Sequence, residues 1–207
     1  MPTFSIKTAF KTSWQIYRQN LGFFILLTLL TLGLRLTPAY LINQLTQPSL
    51  ITITSLLNWL LDMIITLGLI NISLNFITTN TGNLHQLYSK IHLLGKYILG
   101  FILYGLIVLL GFILFIIPGI IWSIKYQFFG YLIIDKRLGP KQALKASSLL
   151  TQGKKLKLFG LLLLLLLLNL IAALPLFLGL IITIPLTGLV MAHVYRQLKP
   201  PATPSTP

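Results

Sequence analysis

Six long apolar segments separated by short basic stretches dominate this chain. They cover about residues 21–42, 50–77, 94–117, 118–135, 157–174 and 176–195. A helix needs roughly 20 mostly apolar residues to cross the roughly 30 Å hydrocarbon layer of a bilayer. Inside that layer only helices or closed barrels can satisfy every backbone polar group. The pattern therefore predicts an all-α membrane protein with six transmembrane helices in three hairpins.

The composition supports a membrane protein and argues against a soluble domain. Hydrophobic residues make up 56% of the 207 residues and charged residues 9%, whereas a soluble domain carries about 25% charged residues. The net charge of +14 comes from sixteen basic and two acidic residues. Because the basic residues lie in short segments between apolar runs, we expect anionic lipid head groups as partners, and no nucleic acid. The chain has no cysteine, so thiolate metal sites and disulfides are excluded.

The basic residues also predict the orientation of the segments. Cytoplasmic connections of membrane proteins are enriched in Lys and Arg. If the N-terminus is cytoplasmic and six helices cross, all but two of the sixteen basic residues fall on the cytoplasmic side. The outer connections, around 43–49, 118–119 and 175, contain none. This asymmetry predicts that both termini are cytoplasmic.

Each predicted pair of spans is preceded by a basic, amphipathic stretch, near residues 6–18, 84–94 and 140–153. Such helices lie in the membrane interface with the basic side toward head groups and the apolar side in the acyl boundary. Residues 1–199 then form a single membrane domain, and the proline-rich tail 200–207 is predicted to be a disordered cytoplasmic segment. The predicted head-group contacts are Lys7, Lys11, Arg18, Lys141, Lys145, Lys154, Lys155 and Lys157.

Asp62 is the most informative single residue, because a carboxylate near mid-span is costly and should face the bundle interior with a partner. Arg35 on the first span is a candidate partner, and Lys125 on the fourth span competes with it. Two interpretations remain open: a structural clasp that fixes helix packing, or a polar path for a proton, ion or substrate. The predicted intramembrane polar network is Arg35, Asp62, Lys125, Asn58, Thr66 and Thr31.

Other motifs predict structure rather than chemistry. His85 and His92 could share a helix face, but no Cys, Asp or Glu lies near them in the sequence to complete a metal site. Pro118-Gly119 predicts a turn or helix break, and the run Leu161–Leu168 predicts lipid-facing surface. No nucleotide-binding or metalloprotease motif occurs, so we predict no cofactor, no metal and no enzymatic activity.

One stretch resembles a known family. Residues 117–121 read Ile-Pro-Gly-Ile-Ile, residues 131–136 read Tyr-Leu-Ile-Ile-Asp-Lys, and an Ala- and Ser-containing helix at 143–152 ends at Gly153. The combination resembles the YciC-like bacterial inner-membrane proteins, which are related to the membrane domain attached to some glycerophosphoryl diester phosphodiesterases. The resemblance implies a location in the bacterial inner membrane. It carries over no catalytic residues, and no phosphodiesterase activity is inferred from it.

These observations favour a non-enzymatic accessory, scaffold or lipid-organising component of the bacterial envelope. The alternative is a small transporter or lipid-handling protein that uses the Arg35, Asp62 and Lys125 side chains as an intramembrane path. A membrane-protein partner or a homo-oligomer is compatible with both interpretations. A cavity lined by the three charged residues would favour transport, and a packed seam would favour a scaffold.

Overall fold

A computed structural model describes residues 4–42, 44–175 and 177–199, and within these ranges the chain forms nine α-helices, two 3₁₀ turns and no β-strand. The fold class is therefore all-α, as predicted. The predicted tail 200–207 lies outside the described residues. The helices are α1 (Ile6–Gln19), α2 (Leu21–Ile42), α3 (Pro48–Thr79), α4 (Leu94–Leu114), α5 (Ile116–Tyr126), α6 (Phe129–Lys136), α7 (Pro140–Leu150), α8 (Lys155–Ala173) and α9 (Leu180–Leu198).

Five helical segments are long and apolar enough to cross a membrane, namely Leu21–Ile42, Pro48–Thr79, Leu84–Leu114, Ile116–Lys136 and Lys155–Ala173. They correspond to the first five predicted spans. The sixth predicted span corresponds to α9, which has 19 residues but ends in a more polar turn containing His193, Arg196 and Gln197. Length and composition thus support a membrane protein directly, and α9 has to be placed by its contacts.

The helices form a bundle that is densely packed in one half. α3 and α9 contact each other and also contact α1 and α2, while α4 to α7 pack together on the other side of α3. Buried side chains concentrate at the end of the bundle that contains α1 and α7, for example Tyr17, Phe24, Phe76 and Tyr195. The opposite halves of α2, α3, α4 and α8 expose most of their apolar side chains, as expected where lipid takes the place of protein contacts.

The first amphipathic stretch forms α1, and its apolar side packs on the protein. Ser5 begins the helix because its hydroxyl accepts the Thr8 N–H at 3.2 Å. The buried residues of α1 are Ala9, Ser13, Ile16 and Tyr17, and they lie in the bundle core with α9 and α2 rather than in an acyl layer. Of the predicted apolar stripe of α1, Tyr17 is buried, Ile6 and Phe10 are half-buried against the core, and Trp14 is exposed. Most of this stripe therefore packs on protein rather than in the acyl boundary.

The second amphipathic stretch is not a continuous helix. Residues 84–87 and 91–93 form two 3₁₀ turns, of which the first packs on α3 and the second leads into α4. Asn71 of α3 holds the first turn and the residues after it by donating to Gln86 O at 3.0 Å and to Ser89 Oγ at 3.1 Å. A Cβ at Gly68 would clash with the Leu87 backbone, so the glycine permits this close approach. The prediction of an amphipathic helix near residues 84–94 was wrong. The Asn71 side chain of α3 binds the backbone of this stretch at Gln86 and holds it in a non-helical path.

The turn between α4 and α5 lies at Phe115, and not at Pro118-Gly119 as the sequence predicted. Proline is tolerated in a first helical turn, where its missing N–H would have no helical partner anyway. Gly119 serves packing instead, since a Cβ at Gly111 would stand 2.9 Å from the Gly119 Cα. The two glycines allow α4 and α5 to approach closely directly below the turn.

The leucine-rich helix α8 has one protein-facing stripe. Leu158, Leu161 and Leu165 are buried at helical spacing, while the remaining leucines of the run Leu161–Leu168 are half-buried or exposed. The prediction that the whole run faces lipid was therefore too broad. A run of identical residues has no amphipathic period, so only the contacts with α5 and α9 select the buried side.

Candidate functional site

Arg35 and Asp62 form an ion pair between α2 and α3. Arg35 Nε lies 3.0 Å from Asp62 Oδ1, and an Arg35 Nη2 N–H donates to Thr66 Oγ1 at 3.3 Å. Asp62 and Thr66 are one helical turn apart on α3, so a single guanidinium reaches both. The structure thus brings together three members of the predicted polar network.

The pair lies at the edge of the bundle. Both side chains are 43% exposed, whereas the sequence argument placed the Asp62 carboxylate toward the bundle interior. That part of the prediction was wrong, because the halves of α2 and α3 next to their connection have few protein neighbours. Protein packing around the pair is incomplete. Arg35 is the ionic contact of Asp62, and Thr66 accepts a further hydrogen bond from Arg35.

The rest of the predicted network is dispersed. Lys125 Nζ lies 5.0 Å from the ring centroid of Tyr126, and among the described residues Arg35 is the cation within 4 Å of the Asp62 carboxylate. Asn58 is half-buried on α3. Thr31 is buried, and its hydroxyl donates back to Leu27 O at 2.9 Å. The structure therefore does not bring Lys125 into a path with Arg35 and Asp62.

A cavity of about 110 Å³ lies beside the ion pair, between α2, α3, α6 and α9. Its wall is mostly apolar, and its hydroxyl groups belong to Thr28, Thr31, Thr66 and Ser73, with the Tyr131 ring on the α6 side. The Thr28 hydroxyl donates to its own helix at Phe24 O, 2.8 Å away. Because the Thr28 and Thr31 hydroxyls are bonded to their own helix and most of the remaining wall is apolar, the cavity suits an apolar group.

The break between α5 and α6 is closed by side chains of α7. Ser147 is fully buried, and its hydroxyl accepts the Phe128 N–H at 3.1 Å and donates to Lys125 O at 3.0 Å. Thr151 donates to the same carbonyl at 3.1 Å. Broken helices within a membrane need such partners for their freed backbone groups. α7 is consequently a structural brace of the fourth predicted span, with Ala143 and Leu144 also buried.

Asp135 forms the second charged cluster. Its carboxylate accepts the Tyr195 hydroxyl at 2.8 Å and the Lys199 ammonium at 2.6 Å, and Arg196 Nη2 lies 3.6 Å away. The Asp135 side chain is 12% exposed. This cluster fastens the end of α6 to the last turn of α9. From the sequence, Asp135 was included only as part of the motif at residues 131–136, and the cluster was missed. The available signal was that Asp135 is one of two acids in a chain with sixteen basic residues.

The two ends of the described chain meet at the same side of the bundle. The Ser5 N–H donates to Gln197 Oε1 at 3.0 Å. The Lys157 ammonium donates to Phe4 O and lies 4.8 Å from the Phe4 ring centroid. The start of α1, the start of α8 and the end of α9 therefore share one layer.

Most of the predicted lipid contacts are in or beside this layer and point away from the core. Lys7, Lys11 and Arg18 are exposed on α1, where Lys11 and Arg18 flank the exposed Trp14. Lys141 and Lys145 are exposed on α7, Lys157 is exposed at the start of α8, and Lys154 and Lys155 are half-buried. We refer to these eight residues together as the basic face.

His85 and His92 lie on the 3₁₀ turns and are exposed. His85 packs against the Tyr88 ring with centroids 4.6 Å apart. Within the described residues no group of three His, Cys, Asp or Glu side chains is arranged to hold a metal ion.

Comparison of the chain with protein-family models, curated proteins and solved structures gave no match.

Proposed function

We propose that this chain is a non-enzymatic membrane protein with six helical passes and cytoplasmic termini, and that it organises anionic lipids at the inner membrane surface. The observation that carries the proposal is the basic face, which stands on helices whose other sides are buried in the bundle. Of the two acids, Asp135 is already paired with Lys199 and Arg196, and Asp62 with Arg35. The basic face therefore lacks internal counter-charges, and anionic head groups are its natural partners.

The six-pass topology is supported by the meeting of the chain ends. Because Ser5 and Gln197 lie on one side of the bundle, an even number of passes should separate them. The candidate spans among the described residues number five, so an even number is reached when α9 is counted as the sixth. The positive-inside rule then places this side in the cytoplasm. The YciC-like resemblance, and with it the bacterial inner membrane, belongs to the same proposal.

Cysteine labelling tests the topology, and because the chain has no native cysteine, each variant carries a single reactive thiol. Gln47→Cys should react with a membrane-impermeant maleimide from the outside, and Ser205→Cys only after the cytoplasmic side is opened. Labelling of both from the same face would refute the topology.

Lipid dependence tests the function in the full chain. We expect the protein to unfold at a higher temperature in nanodiscs that contain phosphatidylglycerol than in pure phosphatidylcholine. The triple variant Lys7→Gln, Lys11→Gln, Arg18→Gln should lose part of this gain, because each basic side chain near an anionic surface contributes about 1 kcal/mol. The charge-preserving triple Lys7→Arg, Lys11→Arg, Arg18→Lys is the control. Equal stability in both lipids would contradict the proposal.

A lipid-handling function is the second candidate, and the cavity beside the ion pair favours it. The Arg35–Thr66 hydrogen bond links the charged pair to the cavity wall, so an amphiphile could place an apolar chain there. Thr28→Leu would fill the cavity at the loss of one bond within α2. Loss of a co-purified lipid in this variant, seen by native mass spectrometry, would support the candidate. Retention of all bound lipids would argue for the scaffold function alone.

A further inference from the structure

The turn between α4 and α5 is apolar throughout. From Gly105 to Ile121 the chain has no polar side chain. The residues Ile113, Phe115, Ile116 and Ile117 are 70–74% exposed, so the turn projects from the bundle without protein cover. A turn in water would normally carry polar residues, as the connection before α3 does with Gln44, Thr46 and Gln47.

The length of α4 places this turn inside the hydrocarbon layer. Lys96 is exposed, and its ammonium donates to Arg137 O at 3.5 Å, which holds the start of α4 among the basic connections. From Tyr97 to Leu114 the helix rises about 26 Å, or about 24 Å at an ordinary tilt of about 20°. The hydrocarbon layer is about 30 Å thick. The turn therefore ends several ångström short of the outer head groups.

The backbone of the turn is suited to this position. Phe115 N–H donates to Gly111 O at 3.0 Å, and Gly119 N–H donates to Phe115 O at 3.3 Å. Pro118 has no N–H to satisfy. The close approach of Gly111 and Gly119 holds helices α4 and α5 together next to the turn, with little free space between them. Two N–H groups of the turn are thus bonded and a third is absent, which lowers the cost of its irregular backbone at membrane depth.

The connection between α8 and α9 has the same character. Leu174, Phe177 and Leu178 are 63–81% exposed, and from Leu170 to Ile182 the chain has no polar side chain. From Leu158 to Ala173 the helix α8 rises only about 22 Å. By contrast, α2 rises about 32 Å from Leu21 to Ile42. The helix α2 therefore matches the hydrocarbon layer of about 30 Å, whereas the stretch of α8 from Leu158 to Ala173 rises less than this thickness.

We propose that the α4–α5 turn is immersed in the acyl chains of the outer leaflet, together with the α8–α9 connection, so that among the described residues it is the segment 44–49 that meets outer water. Outer-leaflet lipids then cover the two short turns. This inference rests on the proposed topology and deepens the lipid-organising function, because the protein would then order lipids on both surfaces, by charge inside and by mismatch outside.

Single-cysteine variants of the full chain in intact membranes test the inference. Ile116→Cys should react with an impermeant maleimide at least about tenfold more slowly than Gln47→Cys, since hydrocarbon disfavours the reactive thiolate. Both should react fully after denaturation. A bimane attached at 116 should be quenched by lipids that carry a spin label on the acyl chain, and a bimane at 47 should not. Ile113→Cys, on the same turn, repeats the test if the first variant folds poorly.

The outcomes separate the two proposals. Slow labelling at 116 with fast external labelling at 47 supports the immersed turn. Equally fast external labelling at both positions overturns it and leaves the topology intact. Absence of external labelling at 47 in membranes overturns the topology, and the immersed turn with it.

Discussion

The Arg35–Asp62 pair allows the clasp interpretation to be tested quantitatively. With the charged atoms 3.0 Å apart, the attraction is about 5 kcal/mol at an effective dielectric constant of about 20. Removing one member of a buried pair typically costs about 3–5 kcal/mol, whereas replacing both by apolar residues is often nearly neutral. Because both side chains are 43% exposed and Thr66 still bonds the guanidinium, we expect Asp62→Leu to cost about 3 kcal/mol, at the lower end.

A double-mutant cycle measures this coupling. For a chain of this length, a loss of about 3 kcal/mol lowers the unfolding temperature by about 6–12 °C. Arg35→Leu combined with Asp62→Leu should restore most of it, which gives a coupling energy of about 2–3 kcal/mol. The assay is thermal unfolding of the purified full chain in nanodiscs, followed by the fluorescence of its three tryptophans.

Lys125→Leu combined with Asp62→Leu is the matched control, because Lys125 lies over Tyr126 rather than at the carboxylate. It should be no more stable than Asp62→Leu alone. Rescue by Lys125→Leu instead of Arg35→Leu would show that the observed pairing is wrong. If Asp62→Leu is harmless and neither double variant differs from it, the carboxylate is no clasp, and the lipid-handling candidate gains support.

Three further predictions concern the packing of the bundle and are measured in the same unfolding assay. Ser147→Ala should cost about 1–3 kcal/mol because it leaves the Phe128 N–H without its partner, while Ser148→Ala beside it should have little effect; equal costs would refute the brace. Gly111→Ala should destabilise, since its Cβ would stand 2.9 Å from Gly119 Cα, whereas Gly105→Ala meets nothing within 4 Å and should be neutral or slightly stabilising. Asp135→Asn should cost about 3 kcal/mol because two cations lose their counter-charge; a stability unchanged by this variant would show that the cluster does not fasten α6 to α9.

The sequence alone determined the class of the protein and the position of most helices. Hydropathy is a property of successive residues, so the apolar runs predicted α2, α3, α4 and α8 to within a few residues. The pairing of Arg35 with Asp62 was also accessible, because a charge in an apolar span has few possible partners. The absence of charge from the outer connections predicted an orientation, which labelling can test.

The tertiary structure decided which apolar surfaces face protein. Lipid and protein interior are both apolar, so hydropathy cannot distinguish them, and the apolar side of α1 was assigned to the membrane although it packs on α9. The buried leucines of α8 were hidden in a uniform run for the same reason. The position of the α4–α5 turn depended on the fit of Gly111 against Gly119, which is a contact between helices and has no periodic signal.

The Asp135 cluster shows the limit most clearly. Tyr195 and Lys199 lie 60 and 64 residues from Asp135 along the chain, and nothing in their local sequence identifies them as its partners. They meet because α9 returns to the side of the bundle where α6 ends. Local composition thus determines which segments enter the membrane, and the packing of those segments determines which polar side chains meet, because such pairs depend on the path of the whole chain.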